Sequence, residues 1–331
     1  MNYLYALQNF RESAPHFITV IIFALSEASL YLVPVILALI YWIYDKKLGY
    51  RLFFGMAGAN FAVNTTKVFA CIYRPWVSDP RLHVDPIAAK NATGYSFPSA
   101  HVAMATSGFG SIAMLKRRNK AIAIICVSLI VITAFGRNFL GAHTLNDVVA
   151  AFLIAVVAMY LIRLVTVYAE KHPDKAVPIA LLGLLLCVIA AIVVEFKDYP
   201  IDYDAAGNIL ADPEAMIEDA YACIGLLAGA LLGFIIESKF IDFSVETDKK
   251  GRICRAVFGT LSFALYYTVI SKKICYLLPL AFGKLMRQGT SALFITVLVP
   301  LAIKLIQKKR GICCGKACEG EEPSSDAQRQ S

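Results

Sequence analysis

A histidine and an aspartate four residues apart lie in a polar stretch, residues 136–147, between two long apolar segments. Charged groups are costly at membrane depth and are usually functional where they occur. A helix that begins near Ala142 would place His143 and Asp147 on one face, one turn apart. A carboxylate at one imidazole nitrogen leaves the lone pair of the other nitrogen free to attack an electrophile. The alternative is a capped helix start with Arg137 at the membrane interface, and this stretch by itself leaves both interpretations open.

A second histidine follows a proline and a serine in residues 95–101. Pro98 favours a helix start, and Ser96 is a candidate for its cap. The free N–H groups of a first helical turn, together with the Ser99 hydroxyl, would bind an anion. His101 stands at the edge of that site. A single histidine here is more often an interfacial side chain with its hydrogen bonds satisfied.

Two cations precede these stretches along the chain. Lys67 and Arg74 are seven residues apart, so a helix would stack them on one face about two turns apart. Pro75 favours a helix that ends at Arg74. Two cations on one face suit an anion held at the interface. For this pair alone, side chains that extend to the lipid headgroups are the better explanation.

Composition places these residues in a membrane protein. The chain has 331 residues, of which 58% are hydrophobic and 17% charged, and its mean hydropathy is +0.63. Soluble domains are about 45–50% apolar and about 25% charged. Several runs approach or exceed the roughly 18 apolar residues of a spanning helix. We therefore expect a polytopic α-helical membrane protein, and we interpret the net charge of +8 as a topology signal and not as a nucleic-acid surface.

Nine spans must position the candidate residues. We expect them at about 17–43, 52–73, 98–115, 121–136, 143–165, 177–195, 219–238, 256–271 and 289–307. Basic loops stay in the cytoplasm. The loops at 46–51, 116–120, 171–175, 239–255 and 308–310 are basic, which leaves 74–96, 137–142 and 196–218 facing outward. The loop at 272–287 breaks this pattern, because it is basic and would also face outward.

Under this topology the three candidate stretches meet at one membrane face. Three cations, a serine, a helix start, two histidines and an aspartate together describe a site for phosphate, which carries about −1.5 to −2 charges near neutral pH. A metal hydrolase is disfavoured, because Lys67, Arg74 and Arg137 would repel a divalent cation. An anion transporter would need its cations near the bilayer midplane in discontinuous helices.

The three stretches in this order resemble the type-2 phosphatidic acid phosphatase superfamily. The resemblance rests on Lys67 with Arg74-Pro75, on residues 98–101, and on Arg137 followed by His143 and Asp147. It implies an all-α membrane bundle of about nine helices with a six-helix phosphatase core. In this interpretation residues 1–307 form the phosphatase domain, and 308–331 form a polar cytoplasmic tail that we expect to be disordered.

The resemblance also implies a role for each site residue. His143 would be the nucleophile that forms a phosphohistidine, Asp147 would orient it, and His101 would protonate the leaving alkoxide. The phosphate would be held, without any metal or other cofactor, by Lys67, Arg74, Ser99, Ala100 through its backbone, and Arg137. Two positions depart from the family's pattern, since Ala100 replaces the usual glycine and Gly136 the usual serine.

The expected activity is hydrolysis of a phosphomonoester or diphosphate of a lipid, with the site on the extracytoplasmic face of the bilayer. A soluble sugar phosphate is the alternative substrate, as in the glucose-6-phosphatase branch. Glu27 lies in the outer half of the first span, where a role beside the substrate and a bond to a neighbouring helix are equally compatible with the sequence. Gly225, Gly229 and Gly233 predict close helix packing, more plausibly within the subunit than across a dimer.

Overall fold

The computed structural model describes residues 2–309 except 91, 93, 116–118, 205, 206 and 208. Over these residues the chain is helical and contains no strand, apart from one isolated bridge between Tyr203 and Ile209. The all-α class predicted from composition is therefore confirmed. The predicted tail lies, beyond its first two residues, outside the described part of the chain.

Twelve helices make up the described chain. In chain order they are α1 (Asn2–Ser13), α2 (His16–Tyr44), α3 (Lys46–Ala70), α4 (Pro75–Ser78), α5 (Pro86–Ala89), α6 (Ala100–Leu115), α7 (Lys120–Phe139), α8 (Leu145–Lys171), α9 (Pro173–Phe196), α10 (Pro213–Ile241), α11 (Lys249–Leu277) and α12 (Leu280–Lys308). Four of them include a π-helical turn, at Ile40–Tyr44, Glu237–Ile241, Tyr266–Ile270 and Phe294–Leu298.

Each of the nine predicted spans coincides with one of the long helices, but not all of these helices have the length and composition of a span. Within the described residues seven qualify, namely α2 and α7 to α12. Helix α6 has only 16 residues, and α3, with 25, carries several polar and charged side chains. The polytopic bundle is thus confirmed, and the count of nine stays a prediction.

Side-chain caps begin many of these helices. The Asp45 carboxylate accepts from the Leu48 N–H at 2.9 Å, and Asp248 accepts from the Gly251 N–H at 2.8 Å. Asn119 caps α7 through the Ile122 N–H. Each such cap satisfies one of the N–H groups that a helix start leaves unpaired, and it stabilises the helix by about 1 kcal/mol.

Successive long helices run antiparallel, so the bundle has two distinct ends. The ends of α3 and α7 meet the starts of α6 and α8 at one end, where the candidate residues lie. Lys46, Lys120 and Lys171 mark the opposite end. Helices α2, α3, α6, α7 and α8 pack around one another, and α10 packs against α3. The outer surface is apolar: on α9, Leu182, Leu185 and Val188 are all more than half exposed, as side chains that face lipid are.

The glycine row of α10 packs against α12 within the same chain. A Cβ atom added at Gly225 would lie 2.1 Å from the Leu285 carbonyl oxygen, and one at Gly229 would lie 2.2 Å from the Gly289 carbonyl oxygen. Only glycine permits such close backbone approach. The prediction that this row packs within the subunit is confirmed.

The basic loop that broke the charge pattern is largely helical, since only residues 278–279 separate α11 from α12. Lys284 lies 3.5 Å from the carboxylate of Glu218, at the start of α10. The Arg287 guanidinium lies over the Tyr267 ring and donates to Ser271 Oγ. Glu218 therefore pairs with one cation of this loop at the same end of the bundle as the acidic 196–218 stretch, whereas the contacts of Arg287 are with neutral groups.

The N-terminal helix α1 lies across the end that holds the candidate residues. Arg11 is buried, and it donates to the carbonyl oxygens of Phe139 at 2.7 Å and His83 at 2.5 Å. The Tyr3 hydroxyl accepts from the N–H of Leu145, the first residue of α8. Helix α1 therefore ties the 74–96 connection to the α7–α8 turn that carries His143.

Candidate active site

His143 lies in the turn between α7 and α8, outside both helices. Gly141 adopts a left-handed conformation with φ +74°, which reverses the chain after α7. The N–H groups of Ala142 and His143 both donate to the Arg137 carbonyl oxygen, at 3.0 and 3.1 Å. This double contact holds the His143 backbone against the last turn of α7, and the side chain is 2% exposed.

The contact between His143 and Asp147 arises from a helix cap and not from a shared helical face. Helix α8 begins at Leu145, with Thr144 as its N-cap, so the prediction of a start near Ala142 is wrong. Thr144 Oγ1 and the Asp147 carboxylate form a capping box, in which Asp147 Oδ2 accepts from the Thr144 N–H at 2.7 Å. The same oxygen lies 3.5 Å from His143 Nδ1. The cap thus fixes the carboxylate beside the imidazole.

Ser96 completes this group, although the sequence indicated a different role. Its buried hydroxyl donates to Asp147 Oδ2 at 2.6 Å and lies 3.3 Å from His143 Nδ1. It does not cap α6, which begins at Ala100. The only signal for this residue is its place in the polar stretch before Pro98, and that signal was interpreted as a cap.

Arg74 reaches His143 from a loop. Helix α3 ends at Ala70, because Cys71 adopts a left-handed conformation with φ 46°, so the predicted helix up to Arg74 is wrong. Arg74 is buried. Its Nε donates to the Gly94 carbonyl oxygen, and its Nη1 to that of Ala142, both at 2.9 Å. Nη1 also lies 3.2 Å from His143 Nε2.

These contacts determine where the proton of His143 resides. A guanidinium has donors and no acceptor, so Nε2 accepts from Arg74 and the ring proton is on Nδ1, facing Ser96 and Asp147. Burial lowers the pKa of His143 well below its ordinary value, and the positive charges of Arg74, Arg137 and Lys67 lower it further. The imidazole is therefore neutral near pH 7, with its lone pair on Nε2.

His101 and Arg137 share a carboxylate from α2. Glu27 Oε1 lies 2.8 Å from His101 Nε2 and 3.0 Å from Arg137 Nη1. All three side chains are almost fully buried. The sequence left two interpretations of Glu27 open. The structure shows that Glu27 bonds to two neighbouring helices, and both of these contacts are with candidate site residues.

Several buried donors around these histidines have no partner among the described residues. The Ser99 hydroxyl and Arg137 Nε are two of them. Lys67 is buried near the end of α3, and its charge acts on His143. Ala103 is the first residue of α6 whose N–H bonds to the preceding turn, at 3.1 Å from the Ser99 carbonyl oxygen, so the Ala100 N–H lacks an intrahelical acceptor.

Unsatisfied buried donors at a helix start form a site for an anion. The predicted residues lie together at one end of the bundle. His143 contacts Arg74 and Asp147, and Glu27 connects His101 to Arg137. Over the described residues, no three histidine, cysteine, aspartate or glutamate side chains are grouped as metal ligands.

Two family models match the chain. The family model described as the PAP2 superfamily matches residues 48–171, which contain every candidate site residue. A second model, described as the transmembrane extension of PAP2 superfamily phosphatases, matches residues 221–310. No curated protein and no solved structure matches the chain. The chain therefore belongs to the PAP2 superfamily, and it is an integral membrane phosphatase with the transmembrane extension of that family.

Proposed function

We propose that the protein hydrolyses the phosphate ester of a membrane lipid through a phosphohistidine on His143. The observation that carries this proposal is the 3.2 Å contact between Arg74 Nη1 and His143 Nε2, from which we infer that the lone pair of the imidazole is on Nε2. A neutral imidazole oriented through its other nitrogen is a nucleophile, and the guanidinium beside it is a ligand for the phosphate that it would attack.

In the first step, Nε2 attacks phosphorus and the bond from phosphorus to the leaving oxygen breaks. His101 gives that oxygen a proton, and the lipid alcohol departs. Asp147 stabilises the positive charge that develops on the His143 ring, as the carboxylate of a catalytic triad does. In the second step His101 takes a proton from water while the water oxygen attacks phosphorus. The bond from Nε2 to phosphorus then breaks, which returns both histidines to their starting state.

The phosphate oxygens would be held by buried donors around the two histidines. Arg137 Nε and the Ser99 hydroxyl have no partner among the described residues, and Lys67 and the Ala100 N–H would add to them. Arg74 would move its Nη1 hydrogen bond from the imidazole to the substrate. In acyl transfer, removal of one preorganised donor to a developing oxyanion costs about 10²–10³ in kcat. A fixed cluster of donors would support catalysis by stabilising the charge that develops on the phosphate oxygens.

Apolar side chains around the site support a lipid substrate. Phe69, Ile72 and Leu145 flank Lys67, Arg74 and His143 in the sequence, and they are 59%, 47% and 55% exposed. A lipid could keep its chains against such a surface while its headgroup enters the polar site. The basic residues at the opposite end of the bundle favour an extracytoplasmic site.

Phosphate release by the purified protein tests this proposal, with a chelator present and with a panel of lipid and soluble phosphates. We expect release from lipid phosphates, and we expect an acid-labile phosphoprotein that is absent in His143→Ala. Release from sugar phosphates alone would replace the lipid substrate by a soluble one. Phosphate uptake into liposomes without hydrolysis would indicate a transporter and would contradict the proposal.

The roles of the two histidines can be distinguished by the choice of the leaving group. His143→Ala should abolish turnover of every substrate, since no other group forms the intermediate. General acid catalysis supplies about 10²–10⁴-fold. His101→Ala should therefore lose most activity toward an alkyl or lipid phosphate and far less toward an aryl phosphate with an acidic phenol. Equal losses for both substrates would contradict the acid role, and turnover by His143→Ala would contradict the nucleophile.

A further inference from the structure

Glu27 determines which nitrogen of His101 can exchange a proton with the substrate. The carboxylate remains ionised beside Arg137, because a guanidinium does not lose its charge in proteins. An ionised carboxylate has acceptors and no donor. His101 Nε2, 2.8 Å away, therefore carries a proton and donates a hydrogen bond to Glu27 Oε1. The nitrogen that is left for the leaving oxygen is Nδ1.

The negative charge of Glu27 also acts against the positive charges near His101. His101 faces the positive charges of Arg137 and Lys67, and its own charge acts on His143. A protonated imidazole at this position is repelled by both cations. The carboxylate of Glu27 offsets part of that repulsion and so favours the second proton that His101 holds on Nδ1 before transfer.

A close contact between α2 and α7 places this carboxylate beside Arg137. A Cβ atom added at Gly136 would lie 3.0 Å from Ser26 Cβ and 3.2 Å from Ile22 Cγ2, so a side chain there would press against α2. Glu27 follows Ser26 and Arg137 follows Gly136, so this approach brings the two charged residues together. Helix α2 lies outside residues 48–171, which the family match covers.

We propose that Glu27 is a positioning residue for the general acid, which holds His101 with Nε2–H toward α2 and Nδ1 toward the leaving oxygen. In the first step Nδ1–H protonates the departing oxygen, and His101 becomes neutral while Nε2–H stays on Glu27. In the second step Nδ1 accepts the proton of the attacking water. The proton on Nε2 never leaves the ring. This role rests on the proposed function of His101.

The test is Glu27→Gln, which keeps the shape and one acceptor oxygen but removes the charge. For an alkyl phosphate we expect kcat to fall about tenfold, part of the 10²–10⁴-fold that general acids supply. For an aryl phosphate with an acidic phenol, which needs no acid, we expect less than about a twofold change. An equal loss for both substrates would overturn the proposal, because it would indicate an effect on Arg137 or on folding.

A double-mutant cycle separates this role from the proposed function. If Glu27 acts through His101, Glu27→Gln should have almost no further effect in the His101→Ala background. Additive losses would overturn the proposal even if His101→Ala loses activity mainly toward the alkyl phosphate, as the loss of a general acid predicts. Equal losses for both substrates in His101→Ala alone would instead overturn the general-acid role on which it rests.

Ser29→Ala is the matched control. Ser29 is buried on the same helix, and its hydroxyl donates only within α2, to the Ser26 carbonyl oxygen at 3.3 Å. We expect this variant to leave the ratio of alkyl to aryl rates unchanged. A shifted ratio here would show that any change in α2 mimics the loss of the carboxylate, and the proposal would fall.

Discussion

Arg74 Nη1 donates to His143 Nε2 across 3.2 Å, and Nη1 also donates to the carbonyl oxygen of Ala142, the residue before His143. The proposed phosphate ligand and the proposed nucleophile are thus held as one unit, and backbone carbonyl groups on two connections fix its position. Because Nε2 is an acceptor in this contact, the imidazole already has the tautomer that the proposed attack requires. Substrate binding has to move one hydrogen bond of Arg74, and it does not have to reorient the ring.

Replacement of Arg74 by lysine should lower the activity strongly, although the positive charge is kept. A lysine has one terminal nitrogen, so it cannot bond the Gly94 and Ala142 carbonyl oxygens and also reach the phosphate. We expect kcat/KM for an aryl phosphate to fall roughly 10²–10³-fold, as when an oxyanion donor is removed. Arg81→Lys is the control, because Arg81 is on the same connection but exposed and paired with Asp79. Comparable rates in the two variants would contradict a specific role for the Arg74 fork.

Ser96→Ala should lower kcat with little effect on KM. The Ser96 hydroxyl bonds the Asp147 carboxylate and lies beside His143 Nδ1, so its loss loosens the orientation of the nucleophile without removing a proposed phosphate ligand. A hydrogen bond to a charged group contributes about 1.5–3 kcal/mol, which corresponds to roughly a tenfold or larger decrease in kcat.

The control for Ser96 is Ser107→Ala. Ser107 is equally buried, and its hydroxyl donates within α6, to the Met104 carbonyl oxygen. Steady-state kinetics of both variants with one substrate provide the comparison. A rise in KM at unchanged kcat in Ser96→Ala would mean that the hydroxyl binds substrate instead of orienting Asp147.

Gly229→Ala should destabilise the protein through the contact between α10 and α12. Its new Cβ atom would lie 2.2 Å from the Gly289 carbonyl oxygen, so the two backbones would have to separate. Overpacking of this kind costs about 1–3 kcal/mol in the free energy of unfolding. Gly55→Ala on α3 is the control, since no atom lies within 4 Å of its added Cβ. Thermal unfolding in detergent should rank the two variants, and equal midpoints would contradict the contact.

The sidedness of the site is testable with an impermeant thiol reagent. Arg81 is exposed at the end of the bundle that holds the site, and Lys250 is exposed at the opposite end. In a background without native cysteines, Arg81→Cys should be labelled in intact cells and Lys250→Cys only after lysis. Asn138, in the connection that was predicted to be exposed, is unsuitable because it lies in α7 and is buried. The reverse labelling pattern would place the site in the cytoplasm.

The sequence alone determined the fold class and the identities of the candidate residues. Long apolar runs have few physical solutions in a bilayer, where each backbone group must bond within its own helix. Short polar connections between such runs force antiparallel neighbours. Alternation of the spans therefore places Lys67, His101 and His143 at one end of the bundle.

Only the tertiary structure decided how these side chains meet. Spacing suggested that His143 and Asp147 share a helical face and that Arg74 continues α3, but a capping box and a left-handed Cys71 produce different geometries. Thr144 and Asp147 do have the spacing of a capping box, but only the structure shows that this carboxylate also lies beside His143. The contacts of Ser96 and Glu27 could not be predicted for a related reason. Their partners are about 50 and 74 or more residues away along the chain, and only the packing of α2, α6, α7 and α8 brings them within bonding distance.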